Sequence, residues 1–351
     1  MLNTQFTSRR RLPLAVALIC AAVTALASGV ATAQAEYDGT AAFVAFQTNT
    51  SDLWLYKTSE ETQEPGTTIK TGFGMAPDTS PSASLAIYSP NPARHELVNA
   101  FAFQTNGNQL WIWELGLEET SGGTLNKYGL GMEPKTSPSW DNEVVSFQAN
   151  NTDLYRFNWQ LGAQLDTGIG MAANTSPSGE FVRVNTGYLW KYNPYEKKGE
   201  PTSYLVAPNT SPSAAGDMVA FQGSDGNLWI YYSNTGEVYD LGYGMAAGTS
   251  PSVVEYGSGY EVAFQTNGNQ MWTWNSKTGL HKFGLGMRAG TSPSITNRAD
   301  DGVNDPEVAF QANNTDLYLY RPLRKEGGST GLGMAEGTSP YITAEYTDIG
   351  N

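Results

Sequence analysis

One twelve-residue stretch, repeated along the chain, limits its possible folds more than any other feature. "GLGMRAGTSPSI" at 284–295 has near-copies at 72–83, 129–140 and 331–342. Its core, "TSP", recurs with the threonine at 79, 136, 175, 210, 249, 291 and 338. A second mark, "AFQ" or "SFQ", alternates with it, the phenylalanine at 46, 103, 147, 221, 264 and 310. Between Thr175 and Thr210 that mark is degraded to "VRVNTGYLW". The marks define seven units spaced 35 to 57 residues apart. A period near 40 residues with several short strands per period belongs to propeller blades rather than helical solenoids. Gly, Ser, Thr, Asn and aromatics dominate, and no long stretch has helical periodicity.

One unit reads strand by strand. "SPSVVE" (250–255) and "YEVAFQ" (260–265) are the first two strands. "TNGN" (266–269) is a turn, with Asn-Gly supplying the positive φ of a tight hairpin. "QMWTWN" (270–275), the turn "SKTG" and "LHKFGLG" (280–286) complete four antiparallel strands. The ends of the chain complement each other. "SPYITAEY" (339–346) is a first strand with nothing after it, and "EYDGTAAFVAFQ" (36–47) is a second strand with nothing before it. Pairing the two closes a ring and removes the exposed edges of an open array. The expected fold is all-β: a closed seven-bladed β-propeller over 36–351.

Residues 1–35 read as an export signal to be removed. Arg9–Arg11 precede an apolar run and the small residues "ATAQA", which places cleavage after Ala35 and the mature protein outside the cell. "SRRRLPL" only half-matches a twin-arginine signal, and the apolar run is short for a spanning helix. Cys20, the sole cysteine, leaves with the signal, so the mature chain relies on its core rather than on disulfides. That chain keeps all 34 acidic residues and 17 of the 20 basic ones, a net charge of −17. Such a surface disfavours nucleic acid and anionic lipid.

The link between blades and the turn joining strands two and three fall on one rim, because chain direction alternates. The link's methionines (Met75, Met132, Met171, Met245, Met287 and Met334) fit the gaps between blades, and its threonine or serine fits local backbone bonding. An even-length loop would put Gln265 on the same blade face as Trp272 and Trp274. The same relation joins Gln47 with Trp54, Gln104 with Trp111 and Trp113, Gln222 with Trp229, Gln148 with Tyr155, and Gln311 with Tyr318. With Asn106 and Asn267 from the turns, these are the candidate ligand-binding residues. Aromatic rings stack on sugar C–H groups and amides take hydroxyls. Packing between blades is the competing role for the aromatics. Two histidines, His95 and His281, in unrelated positions, and the lack of zinc spacing or a nucleophile elbow, argue against catalysis. No metal or cofactor is expected.

"VAFQTNGNQMWTWN" followed by "GLGMRAGTSPSI" resembles repeats of secreted, especially actinobacterial, proteins related to tachylectins. The seven-unit layout is similar to seven-bladed propeller lectins of the Photorhabdus type. The resemblance spans about 40–345. It implies multivalent, non-enzymatic binding of glycans or a cell-surface polysaccharide near the rim between blades. Unit four, lacking Gly-x-Gly-Met and Phe-Gln, is expected to fold with an absent or altered site. "YSPNPARHE" (88–96) reads as a protruding loop. A protein-binding scaffold and a hydrolase or lyase with one central pocket are the alternative readings.

Overall fold

The computed structural model describes residues 41–58, 66–89, 97–116, 122–141, 143–257, 259–300 and 303–344. The expected leader and most of the 88–96 loop lie outside them. Seven sheets follow one another, six of them four-stranded. In chain order they are blade 2 (82–131), blade 3 (139–170), blade 4 (178–205), blade 5 (213–244), blade 6 (252–286) and blade 7 (294–333). Blade 1 is composite: Tyr341–Ala344, Ala42–Gln47, Asp52–Lys57 and Thr67–Gly74 lie side by side. Its inner pair is antiparallel, with Val44 opposite Ile342 and Ala45 opposite Tyr341. The two ends of the chain therefore close the ring as expected. In blade 4 the inner strand shrinks to the bridge between Ser178 and Phe181.

The core is divided among the gaps between blades. The described residues form seven buried clusters, each shared by two neighbouring blades. Between blades 2 and 3, for example, Leu110, Ile112 and Met132 pack on Val145, Phe147 and Trp159. Each strand alternates, sending one residue to the preceding blade and the next to the following blade. Phe264 thus packs towards blade 5, while Ala263 and Met271 pack towards blade 7. The link methionines are buried in these gaps. Each bridges to the start of the next blade's turn, as Met245 does to Thr266 and Met287 to Ala312. Link and turn therefore share a rim.

The repeated link stitches neighbouring blades together. Its threonine hydroxyl donates to the carbonyl three residues back, 2.7–2.8 Å away in all seven copies. This is the local bonding expected of it. The serines behave differently from the local pairing expected. The backbone N–H of each first serine donates to the next blade's serine Oγ, from Ser80 through Ser137, Ser176, Ser211, Ser250 and Ser292 to Ser339. A second belt runs the opposite way. Oγ of Ser82, Ser139, Ser178, Ser213, Ser252 and Ser294 accepts from backbone N–H groups of the following blade, at 2.9–3.1 Å. Blade 1 has Tyr341 at that place, and its hydroxyl donates to the Ala83 carbonyl of blade 2. Inner strands, having no further strand to pair with, are tied around the axis by these two belts.

Candidate functional site

The glutamines expected at the site are structural. Gln47, Gln104, Gln222, Gln265 and Gln311 are at most 2 % exposed. Their Nε2 groups donate to carbonyls of the next link: Gln47 to Met75 and Ala76, Gln104 to Glu133, Gln222 to Met245, Gln265 to Arg288 and Gln311 to Ala335. Gln148 does the same towards Met171 and Ala172. In blade 4 Arg183 takes the place of glutamine and donates to the Val206 carbonyl. Each glutamine's backbone carbonyl also accepts from the preceding link, as Gln265 does from Ala246. One residue thus ties two links, leaving no exposed amide for a ligand.

The expected shared face is also corrected. Gln265 pairs with Met271, and Trp272 pairs with Phe264. Five residues separate the Gln265–Met271 pair, an odd number, so amide and indole point to opposite faces. The turn has this length because it is a type I turn closed by a left-handed residue, not a two-residue hairpin. Thr266 N–H donates to Gln270, Asn269 N–H donates to Thr266, and the positive φ of 53° belongs to Asn269 rather than Gly268. The same register separates Gln47 from Trp54, Gln104 from Trp111, Gln222 from Trp229 and Gln311 from Tyr318. Trp113 is a core residue, 1 % exposed, its indole donating to the Gly122 carbonyl. Trp274 shares the face of Trp272 and packs half-buried against the cluster between blades 5 and 6.

What recurs at the rim is one half-buried aromatic per blade: Trp54, Trp111, Tyr155, Trp190, Trp229, Trp272 and Tyr318. Each stands opposite the apolar residue that precedes the glutamine or Arg183, on the face turned to the preceding blade. The residue two before it, at the turn, is Asp52, Gln109, Asp153, Tyr188, Asn227, Gln270 or Asp316. Its neighbour on the outer strand is Lys70, Lys127, Asp166, Pro201, Asp240, Lys282 or Ser329. These outer-strand residues are all exposed. Lys70, Lys127 and Lys282 lie 4.6, 4.4 and 4.4 Å from the centre of their tryptophan ring. The acidic blades differ: Trp229 donates to Asp225, and Tyr155 is raised above the ordinary tyrosine range first by its bond to Asp166.

These outer-strand neighbours were missed in the sequence, yet in every blade but the fourth they sit two positions before the first glycine of the link, as Lys282 sits before Gly284. A bulge aligns it with the aromatic. Met271 pairs with Leu285, but Trp272 pairs with Lys282, so Phe283 and Gly284 are looped out. Gly284 adopts φ 69°, and an added Cβ there would meet nothing, so backbone conformation alone calls for glycine. The second glycine lets a turn asparagine lie close over the link. A Cβ on Gly244 would come within 2.4 Å of Asn267 Nδ2, and one on Gly74 within 2.5 Å of Asn106 Nδ2. Asn106 and Asn267 are exposed and lie over the preceding link, at the mouth of the groove between blades.

A cavity of about 390 Å³ lies along the inner strands, among the serines of the second belt. Asp141, Glu180, Asp217 and Lys191 also line it. Burial raises the Glu180 carboxyl, partly offset by Arg156 and Lys191. Among the described residues no three His, Cys, Asp or Glu side chains gather to hold a metal ion.

No family model matches the chain, and no curated protein matches it. Solved structures do. A six-bladed fungal lectin from Aleuria aurantia, whose structure is described as showing a novel fucose recognition mode, superposes with a TM-score of 0.50 at 11% identity, over 84% of this chain and 90% of that one. AofleA from Arthrobotrys oligospora gives 0.47 at 12% identity, over 75% and 88%. TolB from Acinetobacter baumannii gives 0.43 at 13% identity, over 87% and 66%. At such identities the likeness is one of propeller fold.

Proposed function

We propose that this protein is a secreted, non-catalytic, multivalent carbohydrate-binding propeller of the tachylectin-related kind. The observation that carries the reading is the sevenfold recurrence of a half-buried aromatic at the rim groove, flanked in six blades by an exposed charged or polar outer-strand residue. Aromatic rings with polar edges suit saccharides, whose rings have apolar C–H faces and hydroxyl rims. Repetition on a rigid ring suits them further, because weak sites gain apparent affinity on a multivalent surface. The fucose recognition named for the Aleuria aurantia lectin supports the same reading by likeness of fold. The ligand-contacting residues are then Trp54, Trp111, Trp229, Trp272 and Tyr318 with their outer-strand neighbours and the turn residues Asn106 and Asn267.

Calorimetry and tryptophan emission on the purified protein, after a glycan array has chosen the ligand, test this. The expected stoichiometry exceeds one per chain, with each site in roughly the millimolar to micromolar range. Asn267→Ala lowers the stoichiometry without moving the melting temperature. A single site located in the central cavity, or binding indifferent to every rim substitution, overturns the rim assignment. Silence across a broad glycan array overturns the lectin reading.

A further inference from the structure

The seven rim positions are built alike but differ in charge. In blades 2 and 6 the three residues are Gln109, Trp111, Lys127 and Gln270, Trp272, Lys282. The turn residue is neutral and the ring's cross-strand neighbour is a cation. Blade 1 repeats the tryptophan and lysine with Asp52 at the turn. In blades 3 and 5 the corresponding neighbour is Asp166 or Asp240, so the charge beside the ring is inverted.

The sequence carries 34 acidic against 20 basic residues. Among the described residues no carboxylate lies within 4.0 Å of Lys70, Lys127 or Lys282. Each of the three is exposed, with its Nζ placed instead over an indole. Cation–π attraction explains the pairing with the ring. It leaves the ammonium's hydrogen-bond donors without an acidic partner at the edge of the groove. A saccharide lying against the exposed part of the indole brings its substituents within reach of that ammonium. A carboxylate or sulfate there gains a charge-assisted hydrogen bond, whereas a hydroxyl gains only a neutral–ionic one. In blades 3 and 5 an anion would meet Asp166 or Asp240, and only hydroxyl donors are favoured.

Building on the carbohydrate-binding reading, we propose that the tryptophan–lysine positions of blades 1, 2 and 6 take acidic saccharides, carboxylated or sulfated, while blades 3 and 5 reject them. The ring then carries two classes of site, and a polysaccharide mixing acidic and neutral units engages both.

The test is an array carrying neutral, carboxylated and sulfated saccharides, probed with the mature protein at low and at high salt. It is repeated with the triple variant Lys70→Gln, Lys127→Gln, Lys282→Gln and with Asp166→Asn, Asp240→Asn. Binding to acidic glycans is expected, weakening with salt and falling about tenfold or more in the lysine variant. The aspartate variant is expected to keep it or to gain. Melting curves show whether each variant is folded. Should the triple lysine variant not fold, the single variants Lys127→Gln and Lys282→Gln take its place. Binding confined to neutral glycans, or acidic binding that the lysine variants retain, overturns the charge assignment and leaves the lectin reading intact. No binding to any class overturns both.

Discussion

Replacing Gln265 by methionine separates the two roles an amide could have here. The side chain keeps its length and volume, so packing against Met271 and the next link is retained. What is lost is the donor to the Arg288 carbonyl, 2.8 Å away, in a residue with no solvent exposure. An unsatisfied buried acceptor costs about 1–3 kcal/mol. Arg288 O keeps two other donors, the Thr291 hydroxyl at 2.8 Å and the Thr291 N–H at 3.3 Å, and the buried Gln265 Oε1 gives up no partner, which places the expected loss at the lower end, about 1 kcal/mol. For a domain of this size that lowers the melting temperature by roughly 1–2 °C. Gln265→Ala adds the cavity left by the missing atoms and costs about 1–2 kcal/mol more. Combining Gln265→Met with Thr291→Val leaves the Thr291 backbone N–H, 3.3 Å away, as the carbonyl's remaining donor, and the two changes should couple because they share one acceptor. Thermal and urea melts followed by far-ultraviolet dichroism measure all of this. Saccharide stoichiometry should stay unchanged, since the amide faces the blade side opposite Trp272. A Gln265→Met protein that melts with the parent but loses saccharide sites would refute the stitching role and return the amide to the ligand.

Four further outcomes are expected. Ser211→Ala removes the acceptor for Ser176 N–H and should cost about 1 kcal/mol by denaturant melts, while Ser→Ala changes on the exposed face of the same blades cost nothing measurable. Removing everything after Pro340 takes away the strand Tyr341–Ala344 and with it buried Ile342. The bared edge of Ala42–Gln47 should then aggregate, as light scattering would show, and a soluble truncation melting like the full chain would contradict the shared blade. Gly284→Ala should cost about 1–2 kcal/mol from backbone strain alone, because the site has room for the methyl group. Burial pushes Tyr128 up to about 12 from 10.0, with the Trp159 side chain opposing. The folded value lies above the unfolded one, so the stability this tyrosine contributes is whole below pH 10 and is lost as the pH climbs towards 12. Tyr128→Phe should therefore flatten the alkaline limb of the stability–pH curve between those values.

Much of this molecule is determined by its sequence because its information is repeated at a fixed period. Seven copies of "TSP" set the number of blades, and the incomplete units at the two ends set how the ring closes. The methionines that fill the gaps and the threonine that folds back on its own link depend on contacts within or next to one unit, so local chemistry predicts them. Tertiary structure decided what depends on register and on neighbours across a blade gap. The left-handed residue fell on Asn269, not on the adjacent glycine, which made the turn odd in length and sent Gln265 and Trp272 to opposite faces. The bulge at Gly284 then put Lys282 beside Trp272, a pairing that alternation along the strand does not foresee. Arg183 looked like a lost motif, but it supplies the same N–H donor as glutamine to the Val206 carbonyl. The serine belts join residues about 40 positions apart, such as Ser137 and Ser176, whose backbones meet only once the blades pack around a common axis. A sequence states which donors and acceptors a chain owns, whereas the closed ring brings each one to its partner.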